Sequence, residues 1–113
     1  MSSPRLEAES KLDDAEELAD RIFRNLISKH SVEDLMKMIS GNRDKNLFLV
    51  VSRDSPGEMN IVVGGKYSRG KVLAIPIPKK FAVLEPDKNY FEQTLKANIL
   101  LAVMGAEEKE LHR

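Results

Sequence analysis

The sequence predicts an α+β fold, in which helices pack on one face of a three- to four-stranded antiparallel meander. Three short apolar runs rich in β-branched residues follow one another between residues 47 and 77, separated by Pro, Gly, Ser and Asp. This is the pattern of consecutive strands. Longer patterns of helical period flank them. The 113 residues are expected to form one domain, with residues 1–4 and 106–113 as disordered or frayed ends.

A long N-terminal helix is predicted over residues 5–29, because its apolar residues recur at intervals of four and three. They are Ala8, Leu12, Ala15, Ala19, Ile22 and Leu26. Such a helix is about 37 Å long, whereas a short strand covers about 17–20 Å, so one end should extend beyond the sheet. The small residues Ala15 and Ala19 permit a close approach, either by the rest of the same fold or at a dimer seam.

A second, shorter helix is expected to begin after a cap at Ser31 and to end at Gly41. The first strand follows at residues 47–51, and both of its alternating sets of side chains are apolar, including Phe48. A strand of this kind is best buried on both faces. It therefore belongs at the centre of the sheet or beneath a second layer, such as another subunit.

Turn residues and prolines place the next two strands. A turn is predicted at residues 54–57, and the second strand either turns at Gly64 and Gly65 or, as we favour, continues to Tyr67. The third strand contains Pro76 and Pro78, whose missing N–H groups fall on the same side. This indicates an edge strand, or a strand that leaves the sheet at Pro76, in preference to a peptide-binding groove. Residues 81–84 are a candidate fourth strand.

The final helix is predicted over residues 88–104, with a cap at Asp87 or Asn89 and an end at Gly105. It is apolar around much of its circumference, and this surplus of apolar surface predicts a protein–protein interface. The candidate interface residues are Ala15, Ala19, Phe48, Leu100, Leu101 and Met104.

The composition excludes several classes of function. Without cysteine there are no disulfides and no thiolate chemistry. His30 and His112 have no metal-ligand spacing, and the four carboxylates between residues 13 and 17 point in several directions around a helix. No signal peptide is apparent, and the longest apolar run is far shorter than the roughly 20 residues of a membrane span. We therefore expect a soluble cytoplasmic protein that is not an enzyme, with no catalytic residues, metal or cofactor.

Two functions remain open, and the preferred one is a protein-interaction module that forms a homodimer or a small subunit of a larger assembly. The alternative is nucleic-acid or polyanion binding, because residues 41–80 hold 8 basic and 3 acidic residues. Its candidate contacts lie on and after the expected hairpin between strands two and three, namely Lys66, Tyr67, Arg69, Lys71, Lys79 and Lys80. The element order is similar to that of double-stranded RNA-binding domains. The start of the final helix departs from their lysine cluster, with Glu85 and Asp87 beside Lys88.

Overall fold

The α+β class is confirmed by a computed structural model, which describes residues 4–64, 72–80 and 87–111, with side chains for 12–64, 72–80 and 87–105. Within these ranges there are three helices and one three-stranded antiparallel sheet. The elements are α1 (Pro4–Lys29), α2 (Val32–Gly41), β1 (Leu47–Ser52), β2 (Met59–Val63), β3 (Val72–Pro76) and α3 (Lys88–Leu111). The predicted fourth strand, residues 81–84, lies outside the described residues.

The strand order is β2-β1-β3, so the predicted meander is wrong. β1 pairs antiparallel with both neighbours, and its Leu49 lies opposite Ile61 on one side and Ile75 on the other. β2 and β3 therefore run parallel on opposite sides of β1 and cannot form the expected hairpin. The central place belongs to the strand whose two alternating sets of side chains are both apolar, as its sequence indicates.

One face of the sheet holds the core. Along β1, Leu47, Leu49 and Val51 are buried, whereas Phe48 and Val50, on the other face, are only half-buried. α3 packs along β3 and against α1, and it also contacts α2. Asn98 on α3 donates a hydrogen bond from Nδ2 to the Pro76 carbonyl, at 2.9 Å. The helices and the sheet thus share one apolar cluster.

α1 and α3 form an antiparallel pair. Phe23 on α1 lies beside Lys96 on α3, and Lys88 at the start of α3 bonds to Glu33 in the first turn of α2, which directly follows α1. The start of α3 therefore lies at the end of α1. Ala15 and Ala19 are 1% and 8% exposed on this packed side of α1. With 26 and 24 residues, the two helices are each about 36–39 Å long, which exceeds the length of the strands, as predicted for α1.

The helix ends mostly follow the predicted capping chemistry. Ser31 Oγ accepts a hydrogen bond from the Asp34 N–H at 3.2 Å, and Asp87 Oδ1 accepts one from the Tyr90 N–H at 3.1 Å. α2 ends at Gly41 as expected. α3, however, continues through Gly105 to Leu111. One glycine costs a helix only about 1 kcal/mol relative to alanine, and most of the residues that follow are strong helix formers.

The turn between β1 and β2 is tied to the end of α1. The Glu58 N–H donates to the Ser55 carbonyl at 2.8 Å, so the turn lies one residue later than predicted. Asn25 Nδ2 donates to the Pro56 carbonyl at 3.1 Å, and Lys29 Nζ donates to the Gly57 carbonyl at 2.6 Å. These bonds join the C-terminal end of α1 to the turn at one end of the sheet.

Candidate interaction surface

The outward side of α3 carries apolar and neutral residues at helical spacing. We define the α3 outer face as the stripe whose members recur at intervals of four and three, namely Tyr90, Thr94, Ala97, Leu101 and Met104. Leu101 is 67% exposed and Tyr90 is 58% exposed, whereas Ile99 and Leu95, on the inner side, are fully buried. α3 therefore presents a second stripe to solvent in addition to the one it buries.

Charge is almost absent from this part of α3. Between Gln93 and Gly105 the only charged residue is Lys96. Its ammonium lies 4.7 Å from the centre of the Phe23 ring on α1 and 3.7 Å from the Glu92 carboxylate, so it is directed along the α1 side. The α3 outer face is consequently uncharged.

A shallow groove of about 190 Å³ separates the α3 outer face from α1. It is lined by Glu16, Ala19, Asp20, Phe23, Lys96 and Leu100. Acidic side chains stand on its α1 side and the Lys96 ammonium on its α3 side, while the rest of the lining is apolar. Leu100 is only partly buried here and joins the groove to the α3 outer face.

The predicted interface residues do not form one surface. Leu101 is exposed on the α3 outer face. Met104, at the end of that face, and Leu100, which borders it, are both partly buried and pack against the core. Ala15 and Ala19 are buried beneath the chain's own residues and are not available to another protein. Phe48 lies half-buried on the face of the sheet opposite to the core.

The predicted cation cluster is described only in part. Lys66, Tyr67, Arg69 and Lys71 lie outside the described residues. Lys79 Nζ donates to the Arg43 carbonyl at 3.4 Å, and Lys80 is exposed. The hairpin that was expected to display these cations is excluded by the strand order, and binding of nucleic acid or another polyanion stays a prediction.

The two edges of the sheet differ in their hydrogen-bonding groups. At β3, the Ile77 N–H donates to the Leu47 carbonyl at 2.9 Å, so the nitrogens of Pro76 and Pro78 point away from β1. Among the described strands β3 lies at an edge of the sheet, as its prolines predict. This outward edge offers no N–H at either proline.

The outer edge of β2, in contrast, keeps its N–H and C=O groups. The Gly64 N–H donates to Asn46 on the β1 side, and the Glu58 carbonyl accepts from Ser52. Because the pattern alternates, the backbone groups of Met59, Ile61 and Val63 point outward. No described strand other than β1 pairs with β2. Sequence reasoning did not find this edge, since it assigned β2 to the interior of a meander.

One ion pair on the surface contains two groups with shifted pKa values. The Lys88 ammonium on α3 donates to the Glu33 carboxylate on α2, and this hydrogen bond lowers the pKa of Glu33 and raises the pKa of Lys88. In the described part of the chain, no three His, Asp or Glu residues lie close enough together to hold a metal ion. None of its helices combines the length and apolarity needed to cross a bilayer.

Comparison with known proteins identifies one relative. An uncharacterized protein of Archaeoglobus fulgidus is 47% identical over 111 residues, which cover 95% of this chain and 99% of the relative. The chain therefore belongs to the same family as that archaeal protein. No family model matches the sequence, and no solved structure matches it.

Proposed function

We propose that the protein is a non-enzymatic protein-interaction module, and that it forms a homodimer through the α3 outer face. The observation that supports this most directly is Leu101, which is 67% exposed within an uncharged helical stripe. Exposed apolar patches bordered by polar surface are typical of protein-binding sites. The charged outward side of α1 supplies that border on one flank.

The occupant proposed for this face is a second copy of the chain. In a two-fold interface the same patch meets itself, so a charged patch would bring like charges together. The α3 outer face carries no charge and avoids this repulsion. It also contains no charged group that would select an oppositely charged partner.

The order of side-chain sizes along α3 fits an antiparallel pair of helices. Ala97 lies at the middle of the stripe, with Tyr90 seven residues before it and Met104 seven residues after it. A two-fold axis at Ala97 would allow the helices to approach closely and would place Tyr90 of one copy beside Met104 of the other. Sulfur–aromatic contacts of that kind are favourable. Thr94 would then lie close to Leu101 of the second copy.

The first prediction concerns Leu101→Lys. We expect the substitution to abolish the contact between two α3 outer faces and so to lower the mass measured by light scattering by at least half, down to that of a single 12.7 kDa chain if this contact is the only one. Two buried leucines would be lost, each of which contributes about 1.5–3 kcal/mol, and a charge would be buried beside Thr94 of the other copy in each place. Ser40→Lys, at an exposed position on α2, adds the same charge elsewhere and should leave the mass unchanged.

A cysteine cross-link tests the register of the same interface. Because the chain contains no cysteine, any disulfide formed by Ala97→Cys must join two copies. A close helix pair at the axis brings the two sulfurs within bonding range. Ser40→Cys serves as the control. A wild-type protein that is monomeric at all concentrations, or an Ala97→Cys protein that cross-links no faster than the control, contradicts the proposed dimer.

A further inference from the structure

We propose that the outer edge of β2 pairs with β2 of a second copy, which extends the sheet across a two-fold axis and builds an assembly larger than the α3 dimer. The inference rests on the proposed function in that it takes self-association to be the role of the chain. It uses a separate surface, however, and can succeed or fail independently.

The two edges of the sheet differ in the residues that protect a strand edge from pairing. Natural proteins protect exposed strand edges with proline, charge or bulges. β3 ends at Pro76, and Pro78, Lys79 and Lys80 follow within four residues. β2 has no proline and no charged residue between Met59 and Val63. Its outward N–H and C=O groups are therefore suited to accept another strand.

Side-chain burial along β2 decreases from Met59, which is buried, toward the Val63 end of the strand. Val63 lies opposite Leu47 and so belongs to the core side of the sheet. It is nevertheless 44% exposed, whereas Leu47 is 3% exposed. Ile61 is likewise only half-buried, although its partner Leu49 is fully buried. A strand added beside β2 would cover both β-branched side chains from the open side.

The strand that fits this edge best is β2 itself. The edge requires an uncharged extended segment with apolar residues on the core side, which is the composition of Met59–Val63. In an antiparallel pair centred on Ile61, Met59 of one copy lies opposite Val63 of the other. Every outward backbone group of the three odd-numbered residues then finds a partner. No like charges meet within the paired residues.

The two proposed interfaces are compatible within one molecule. α3 packs along β3, and β3 and β2 are opposite edges of the sheet. A copy bound at the β2 edge therefore leaves the α3 outer face accessible. Two different two-fold contacts in one chain assemble more than two copies.

Two edge substitutions test the inference. Val63→Lys places a charge at the exposed edge position, and Ile61→Pro removes an outward N–H in the way that Pro76 does on β3. We expect light scattering to give both variants the mass of a dimer, which is smaller than that of the wild type, while Ser40→Lys keeps the wild-type mass. Retention of the wild-type mass by both folded variants would overturn the inference.

Hydrogen exchange gives a second readout with an internal control. In the wild type the outward amides of Ile61 and Val63 should exchange at least about tenfold more slowly than in Val63→Lys. The amides of Asn60 and Val62 bond to β1 and should be protected in both proteins. Equal exchange of the outward amides in the two proteins would contradict strand pairing, whatever the mass.

Combination with Leu101→Lys separates this inference from the proposed function. If both interfaces exist, each single variant is a dimer and the double variant Leu101→Lys, Val63→Lys is a monomer. If only Leu101→Lys lowers the mass, the β2 pairing is wrong and the α3 dimer stands. If only the β2 variants lower it, the α3 dimer is wrong and the strand pairing stands.

Discussion

The two long helices bury similar stripes against one core but present opposite chemistry to solvent. On α1, the exposed positions from residue 13 to residue 24 are almost entirely ionic, including Asp20 and Arg24, whose charged groups are 2.9 Å apart. On α3, the only charged residue among the exposed positions from Tyr90 to Leu101 is Lys96, and the α3 outer face carries no charge. Surface helices ordinarily carry charged residues on their outward side, so the fold alone explains this side of α1. The departure from that pattern on α3 is what points to a partner.

The largest expected effect tests the difference between the inner and outer faces of α3. Phe91 is fully buried, and Phe91→Ala should lower the free energy of unfolding by about 3–5 kcal/mol. Leu101→Ala, on the outer face, should change the stability of the monomer by no more than about 0.5 kcal/mol. Urea titration at low protein concentration measures both. Equal losses would mean that Leu101 is part of the core of a single chain.

The next effect tests whether the alanines of α1 serve the α1–α3 contact within one chain. Ala15 is 1% exposed, so Ala15→Leu should overfill the core and destabilise the protein by about 1–3 kcal/mol. The matched change Ala97→Leu, at the exposed alanine of the α3 outer face, should leave the unfolding midpoint of the monomer nearly unchanged. A tolerated Ala15→Leu would instead place that alanine at an open surface.

The smallest effect concerns the ion pair that links α2 to the start of α3. Because Lys88 lowers the pKa of Glu33, the pair should stabilise the fold above the ordinary Glu pKa of 4.5. That stabilisation should disappear as the pH falls through the lowered pKa of the folded protein. Both groups are exposed, so the effect should be slight.

Thermal unfolding as a function of pH measures this contribution. Glu33→Gln should unfold at a slightly lower temperature than the wild type near neutral pH, and the difference should vanish in acid. Lys88→Gln removes the other half of the same pair and should reproduce that behaviour. If the difference between Glu33→Gln and the wild type persists unchanged to low pH, the ion pair is not its cause.

Local patterns were sufficient to predict most elements of this fold. The periodicity of α1, the cap at Ser31 and the apolar stripe of Phe91 and Ile99 act over a few residues, and the sequence records them directly. The end of α3 was not predicted, because the capping preference of Gly105 is outweighed by the helix formers after it. One glycine alone does not determine where a helix ends.

Strand order and the candidate surfaces required information beyond local pattern. A meander is the simplest connection of three consecutive strands, but the pairing of β3 with β1 depends on contacts distant in sequence. The apolar surplus at Leu101 could be predicted, since a helix apolar on two sides cannot bury both. Ala15 and Ala19 could not be assigned, because small residues suit an internal contact and a dimer seam equally well. The β2 edge became visible only once the strand order was known.

Pro76 and Pro78 limit how many strands can be added to the sheet. A sheet that accepts strands at both edges can add chains without end and become a fibril. Here Pro76 and Pro78 close one side, so a sheet extended through β2 stops after a single addition. Under the proposed pairing, both ends of the extended sheet would be β3 edges, and strand addition would stop at two copies.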